Sequence, residues 1–382
     1  MTGFNNPSFT FGIEEEYLLV DLETRDLASD PPDDFMACCK AELGEHVSPE
    51  FFRCQVEIGT AVCSDPAEAR RQLAQYRRAI ATCAARFGLA PIAASTHPFA
   101  EWTEQVHTAR DRYRDLANIM QIVGRRMLIC GMHVHVAVED EALRFDLFDQ
   151  IPYFLPHLLA LSTSSPFWRS DETGLKSYRL AVFDEIPRTG LPPSFSGADE
   201  FKRALDVLVK SGELEDATKI WWDLRPSGRF PTLEMRITDV CTRSDEAVAI
   251  AAVYRCIVRM LYRLRRSNQR WRAYSQFLIN ENRWLAQRNG TAGNLIDFGR
   301  GEPVPYADLA DELIDLIADD AAYFGCEREV AHIRTIVHAG TSADRQVKVY
   351  RDARDSGADD REALIAVVDH LIAETVAGCG AG

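Results

Sequence analysis

The stretch FGIEEEYLLVD, residues 11–21, sets three consecutive glutamates inside an apolar run, and no other segment constrains the fold as strongly. Its aromatic and branched neighbours favour a strand, in which successive side chains point to opposite faces. Glu14 and Glu16 then share one face, and Glu15 falls on the other with Phe11, Ile13, Tyr17 and Leu19. Paired carboxylates on a half-buried face repel each other, and a divalent cation is one means of compensation. Glu15, set among apolar residues, requires an arginine partner or a place near the sheet edge.

The same alternation recurs. In MLICGMHVHVAV, Leu128, Cys130, Met132, Val134, Val136 and Val138 share a face, opposite His133 and His135. In FFRCQVEIGTAV, Phe52, Cys54, Val56, Ile58 and Val62 oppose Arg53, Gln55 and Glu57. In TLEMRITD, Leu233, Met235 and Ile237 oppose Glu234 and Arg236, and in KIWWDLRPS, Ile220, Trp222 and Leu224 oppose Asp223 and Arg225. An ordinary solvated sheet face mixes Lys, Thr, Ser and Glu. These faces carry carboxylates, imidazoles and arginines, and no lysine.

Each motif alone is unremarkable on a protein surface. Together they predict a metal site: Glu14, Glu16, Glu57 and Glu234 would balance two ions of the Mg²⁺ or Mn²⁺ type, with imidazole assistance. Arg236, two residues beyond Glu234, projects the same way and suits a phosphoryl group.

The chain of 382 residues is 46% hydrophobic and 26% charged, as expected of a globular protein. Its net charge of −15 argues against a nucleic-acid partner. There is no apolar run of membrane-spanning length and no secretory signal, so a cytoplasmic location is expected. The ten cysteines form no C-x-x-C pair and read as reduced, mostly buried thiols, with Cys38–Cys39 a helix turn that buries one of them.

Strands are predicted at about 9–20, 50–62, 89–96, 127–138, 218–225 and 231–239. Helices are predicted at 34–42, 66–87, near 110–124, within 143–162, and at 198–210 and 244–266, with an irregular segment to about 197. The last third is mostly helical. This order predicts one α+β domain over residues 1–382, with helices packed on the apolar face of its sheet. The turn-rich segments 187–197 and 288–303 are candidate active-site loops.

Taken in order, GIEEEY, QVEIGTAVC, CGMHVHV, LSTSSPFW, WWDLRPS, LEMRITD and ENRWLAQRNG resemble the bacterial carboxylate–amine ligases of the glutamate–cysteine ligase type 2 family. More distantly, GIEEE, GMHVH and LEMR are similar to the metal-binding strands of glutamine synthetase. The resemblance implies a curved, mainly antiparallel sheet with a polar concave face, two or more Mg²⁺ or Mn²⁺ ions, and ATP at one end. It implies glutamate and an amine such as cysteine as substrates, an acyl-phosphate intermediate, and a homo-oligomer. It assigns Glu14, Glu16, Glu57, His133 and Glu234 to metal, Arg236 to the transferred phosphoryl group, and His135 to the nucleotide side. Arg225 and Arg179 match more loosely, as binders of carboxylate or phosphate. Glu15 departs from the pattern, since relatives often carry an uncharged residue there. The family is also expected to include ligases with only weak glutamate–cysteine activity.

Two other readings of the residues stay open: a metal-dependent hydrolase that activates water, and a binding protein that kept the scaffold without catalysis.

Overall fold

The three glutamates lie in β1 (Phe11–Asp21), the most extensively paired strand of the main sheet. The computed structural model describes residues 6–109 and 120–380. Around β1 stand β2 (Val47–Pro49), β3 (Gln55–Gly59), β4 (Leu89–Ile92) and β5 (Met132–Ala137). A short hairpin of β6 (Phe167–Trp168) and β7 (Asp171–Glu172) precedes β8 (Leu224–Pro226) and β9 (Thr232–Met235). The sheet is open and runs β2-β3-β1-β5-β9-β8, with β4 paired to the far half of β1. Every pairing is antiparallel, as the α+β reading requires.

Register places the functional face. Glu16 stands opposite Glu57, Glu14 opposite His133, and His135 opposite Glu234, which in turn faces Arg225. On the other face Phe11, Ile13, Met132, Val134, Val136, Leu233 and Met235 are buried. Helices α1 (Asp33–Leu43) and α2 (Pro66–Ala85) pack on each other. In α2, Asp65 accepts from the amide of Glu68 and Pro66 takes the first turn, where its missing N–H costs nothing. The helix Ser244–Arg266 lies against β5 and is buried on nearly all sides over its first four turns. The last third is helical apart from a hairpin of β10 (Asn294–Asp297) and β11 (Glu302–Pro305).

Glu15 has the arginine partner expected of it. Arg77, from α2, donates through Nη2 to Oε1 of Glu15 at 2.6 Å and through Nε to Oε2 at 3.0 Å. The same guanidinium donates to the carbonyls of Cys241, Thr242 and Thr375. One buried ion pair therefore joins the sheet, α2, the approach to the long helix and the C-terminal helix. Removing one member would strand the other in a low-dielectric interior.

Several sequence expectations need correction. Cys38 is bonded to Cys83, 45 residues away, with Cα atoms 5.9 Å apart. The chain thus carries a disulfide between α1 and α2, where only reduced thiols were expected, because helix packing sets cysteines side by side that spacing cannot pair. Cys39 is the buried member of the dipeptide, as expected, and the other free thiols described are buried too. The strand over 50–62 shortens to β3, and Val62 is 73% exposed. The strand over 218–225 shortens to β8, behind a 3₁₀ turn at Ala217–Lys219. The segment called irregular holds the β6–β7 hairpin and a helix, Tyr178–Phe183. Of the helix near 110–124, residues 110–119 lie outside the described residues, and 120–125 are helical apart from that stretch.

Candidate active site on the polar sheet face

The polar face floors a cleft of about 410 Å³, and all nine site residues expected from sequence line it: Glu14, Glu16, Glu57, His133, His135, Arg179, Arg225, Glu234 and Arg236. Segments 187–197 and 288–303 contribute nothing to its lining. The first borders a separate depression through Ser194–Gly197, and the second is largely the β10–β11 hairpin.

Two groups of donor atoms form in the cleft. Glu16, Glu50 and Glu57 bring one carboxylate oxygen each within 4.8 Å of one another, and a ring nitrogen of His135 meets one oxygen each of Glu14 and Glu234 within the same distance. Glu50 escaped the sequence reading. In an unbroken strand over 50–62 the alternation would put it with Phe52, Cys54 and Val56 on the apolar face. The chain instead turns between β2 and β3, which resets the parity and aims Glu50 at Glu57. The only sequence signal was an acid directly before FFRCQVE.

In the first group, burial and then the charge of Glu50 push the Glu16 carboxyl up to about 7. Glu57 is pushed up for the same two reasons. Glu16 accepts the amide N–H of Gly131 at 2.7 Å. Among the described residues, no lysine or arginine is ion-paired with Glu16, Glu50 or Glu57. Three partly buried carboxylates so placed call for a cation, and an all-oxygen donor set suits a hard divalent ion.

The second group is already partly neutralised. Arg225 grips Glu234 with both prongs, Nε at 2.8 Å and Nη2 at 3.0 Å, and Arg236 Nη1 adds a contact at 2.5 Å. Against the upward push of burial, Arg236 and Arg225 hold the Glu234 carboxyl down at about 2. Nε2 of His135 lies 3.4 Å from Glu14 and is buried without a hydrogen bond, so it is a free donor atom aimed at two carboxylates. Nδ1 of the same ring contacts the Thr232 hydroxyl at 2.9 Å, which sets the ring plane.

His133 stands between the groups, with Nδ1 3.1 Å from Glu14 and Nε2 3.9 Å from Glu16. Burial and then Arg236 push it down to about 4, so near neutral pH the ring is uncharged and able to ligate. Arg236 leaves Nε buried and without a partner. Arg179 is buried beneath Gly131 and donates to the carbonyls of Arg236 and Ile237 at 3.1 and 3.2 Å. It therefore also fixes the strand end that carries Arg236.

Acids, imidazoles and arginines are thus interleaved along the cleft floor of an open antiparallel sheet, with Arg225 and Arg236 both on Glu234. The family model described as glutamate-cysteine ligase family 2 matches residues 10–370, and the chain belongs to that family. A relative from Rhodospirillum rubrum, which carries the provisional name glutamate–cysteine ligase 2, is 61% identical over 98% of this chain and 97% of its own. Another of that name, from Jannaschia, is 56% identical over 97% of each chain. Among solved structures, the glutamate–cysteine ligase of Francisella tularensis in complex with AMP matches with a TM-score of 0.67 at 12% identity, over 97% of this chain and 90% of its own. The bifunctional glutathione synthetase of Pasteurella multocida matches with a TM-score of 0.69 at 14% identity, and this chain spans 52% of its length. At these identities the two structures share the fold.

Proposed function

We propose that the chain is an ATP-dependent carboxylate–amine ligase that joins the γ-carboxylate of glutamate to an amine such as cysteine. The observation that carries this reading is the juxtaposition, in one cleft, of the Glu16–Glu50–Glu57 group with the partly buried arginine Arg236, in a chain of this family. A γ-carboxylate oxygen attacks the γ-phosphorus of ATP, the bond to the bridging oxygen breaks, and ADP leaves with an acyl phosphate formed. The lone pair of the amine then attacks the acyl carbon, the bond from that carbon to the phosphate oxygen breaks, and phosphate departs. The amine proton passes to solvent.

A carboxylate approaching a polyphosphate meets strong charge repulsion. Divalent ions, held by Glu16, Glu50 and Glu57 and by Glu14, His133, His135 and Glu234, would supply neutralisation of that charge. Arg236, anchored by Glu234 through Nη1, keeps Nε as an uncommitted donor for the transferring phosphoryl group. The Glu234 carboxylate with Arg225 holds that anchor in place. The reading takes residues 1–382 as one catalytic domain of a cytoplasmic homo-oligomer that acts on small molecules.

The test is ADP release with Mg-ATP and L-glutamate, with and without L-cysteine, and mass analysis of the products. Cysteine-dependent ADP with a dipeptide mass is the expected outcome. No ADP under conditions where ATP binds would overturn the reading.

A further inference from the structure

We propose that Arg283, which lies outside the cleft, is a positioning residue for Arg236, an inference that rests on the ligase reading above. Arg283 belongs to the helix Gln276–Asn289, is 6% exposed and does not line the cleft. Its guanidinium is divided between two carboxylates. Nε donates to Asp223 at 2.7 Å and Nη2 to the other oxygen of that acid at 3.3 Å. Nη1 and Nη2 donate to the two oxygens of Asp184 at 2.7 and 2.8 Å. Asp223 is fully buried, so its charge depends on this partner. Strand alternation would set Asp223 beside Arg225 on the polar face. The chain instead bends at this residue, ahead of β8, and the carboxylate meets Arg283.

Each of the two acids belongs to a segment that holds Arg236. The carbonyl of Asp223 accepts the amides of Arg236 at 2.8 Å and Ile237 at 3.1 Å. Asp184 ends the helix Tyr178–Phe183, which carries Arg179, and Arg179 donates to the carbonyls of the same two residues. The main chain at Arg236 is therefore gripped by its amides through one holder and by its carbonyls through the other. Arg283 ties the two holders together. A planar guanidinium can serve both acids at once, whereas an ammonium offers only a point charge. A buried ion cluster is a poor source of stability beside packed apolar side chains. What it fixes is direction, and here that direction belongs to the proposed phosphoryl donor. A misplacement of about 1 Å at a reacting centre costs about 100-fold in rate.

The experiment measures kcat and KM for ADP release with Mg-ATP, L-glutamate and L-cysteine, together with thermal melting, in Arg283→Lys, Arg236→Ala and the double variant. Arg283→Lys is expected to lose about 10- to 100-fold in kcat, with KM for ATP within about threefold of wild type. In the Arg236→Ala background the same change is expected to cost no more than about twofold, because the group it positions is gone. A merely structural role would give the same factor in both backgrounds. Such additivity overturns the proposal, as does a wild-type kcat in Arg283→Lys. If Arg283→Lys does not fold, Asp184→Asn carries the same cycle with the same expected and overturning outcomes. The Asp184 side chain is 37% exposed, and its change leaves Asp223 paired with Arg283. No ADP from the wild-type protein overturns the ligase reading and the inference with it, whereas ADP with additive losses overturns the inference alone.

Discussion

The guanidinium of Arg179 lies so close over Gly131 that a β-carbon on the glycine would stand 2.5 Å from Nη2. The glycine of CGMHVH is thus needed for close approach, while its amide holds Glu16. Gly131→Ala must displace Arg179, and with it the carbonyl contacts that hold Arg236. Overpacking of this kind costs about 1–3 kcal/mol, so the variant is expected to fold. Its kcat is expected to fall roughly 10- to 100-fold, since small misplacements at a reacting centre are costly. Turnover and thermal melting measured together check this, and unchanged turnover would remove Arg179 from the positioning role.

Arg236→Ala removes the proposed phosphoryl donor but leaves Glu234 paired with both prongs of Arg225. Loss of about 100- to 1,000-fold in kcat is expected, with folding retained. Arg236→Lys should recover little, because an ammonium cannot contact Glu234 and present a second directed N–H in one plane. Steady-state kinetics on the two variants decide it. Turnover near wild type in either would sink the assignment.

Glu15 and Arg77 form a fully buried pair, so single substitutions should hurt far more than a matched double. Arg77→Met leaves Glu15 uncompensated, at a cost of about 3–5 kcal/mol. The double variant Glu15→Leu with Arg77→Met should recover part of that loss. Urea denaturation of the three proteins measures the coupling, and additive losses would show that the charges do not depend on each other.

His97 sets a pH limit on stability. Its Nδ1 accepts from the amides of Phe99 at 3.2 Å and Ala100 at 3.0 Å, so the ring must be neutral, with Nε2–H donating to the Arg25 carbonyl at 3.0 Å. Burial pushes the imidazole down to about 4, against about 6.5 in the unfolded chain. The unfolded state therefore binds the extra proton between those values. This contribution is fully present above pH 6.5 and is lost as pH falls toward 4. Its size is on the order of 3 kcal/mol. A His97→Gln variant should show a shallower fall in denaturation midpoint over that window, and an unaltered slope would rule the histidine out as the cause.

The Cys38–Cys83 disulfide closes a long loop between α1 and α2. Reduction is expected to lower stability by about 2–4 kcal/mol. Alkylation with mass analysis establishes the bond, and urea midpoints with and without reductant give its worth. Equal midpoints, with the bond shown to be reduced, would mean that helix packing alone holds α1.

Alternation made most of the site legible. Glu14, Glu16, Glu57, His133, His135, Arg225, Glu234 and Arg236 could be assigned to one face because strand period is two and each opposite face is apolar. Glu15 was legible for the same reason, as a buried acid in need of an arginine, although nothing local identified Arg77 as that arginine. Glu50 was hidden because a turn interrupts the period on which the reading depends. The Cys38–Cys83 bond was hidden because helix packing, unlike strand alternation, leaves no mark in spacing.

The sequence by itself determined which side chains share a face within each main strand and the kind of chemistry that face can support, since both follow from side-chain period and residue type, although not where each strand begins and ends. Tertiary structure decided which groups meet. Register set Glu16 against Glu57 and Glu234 against Arg225, and helix docking brought Arg77 to Glu15. These depend on distances between segments far apart in the chain, which no local pattern encodes.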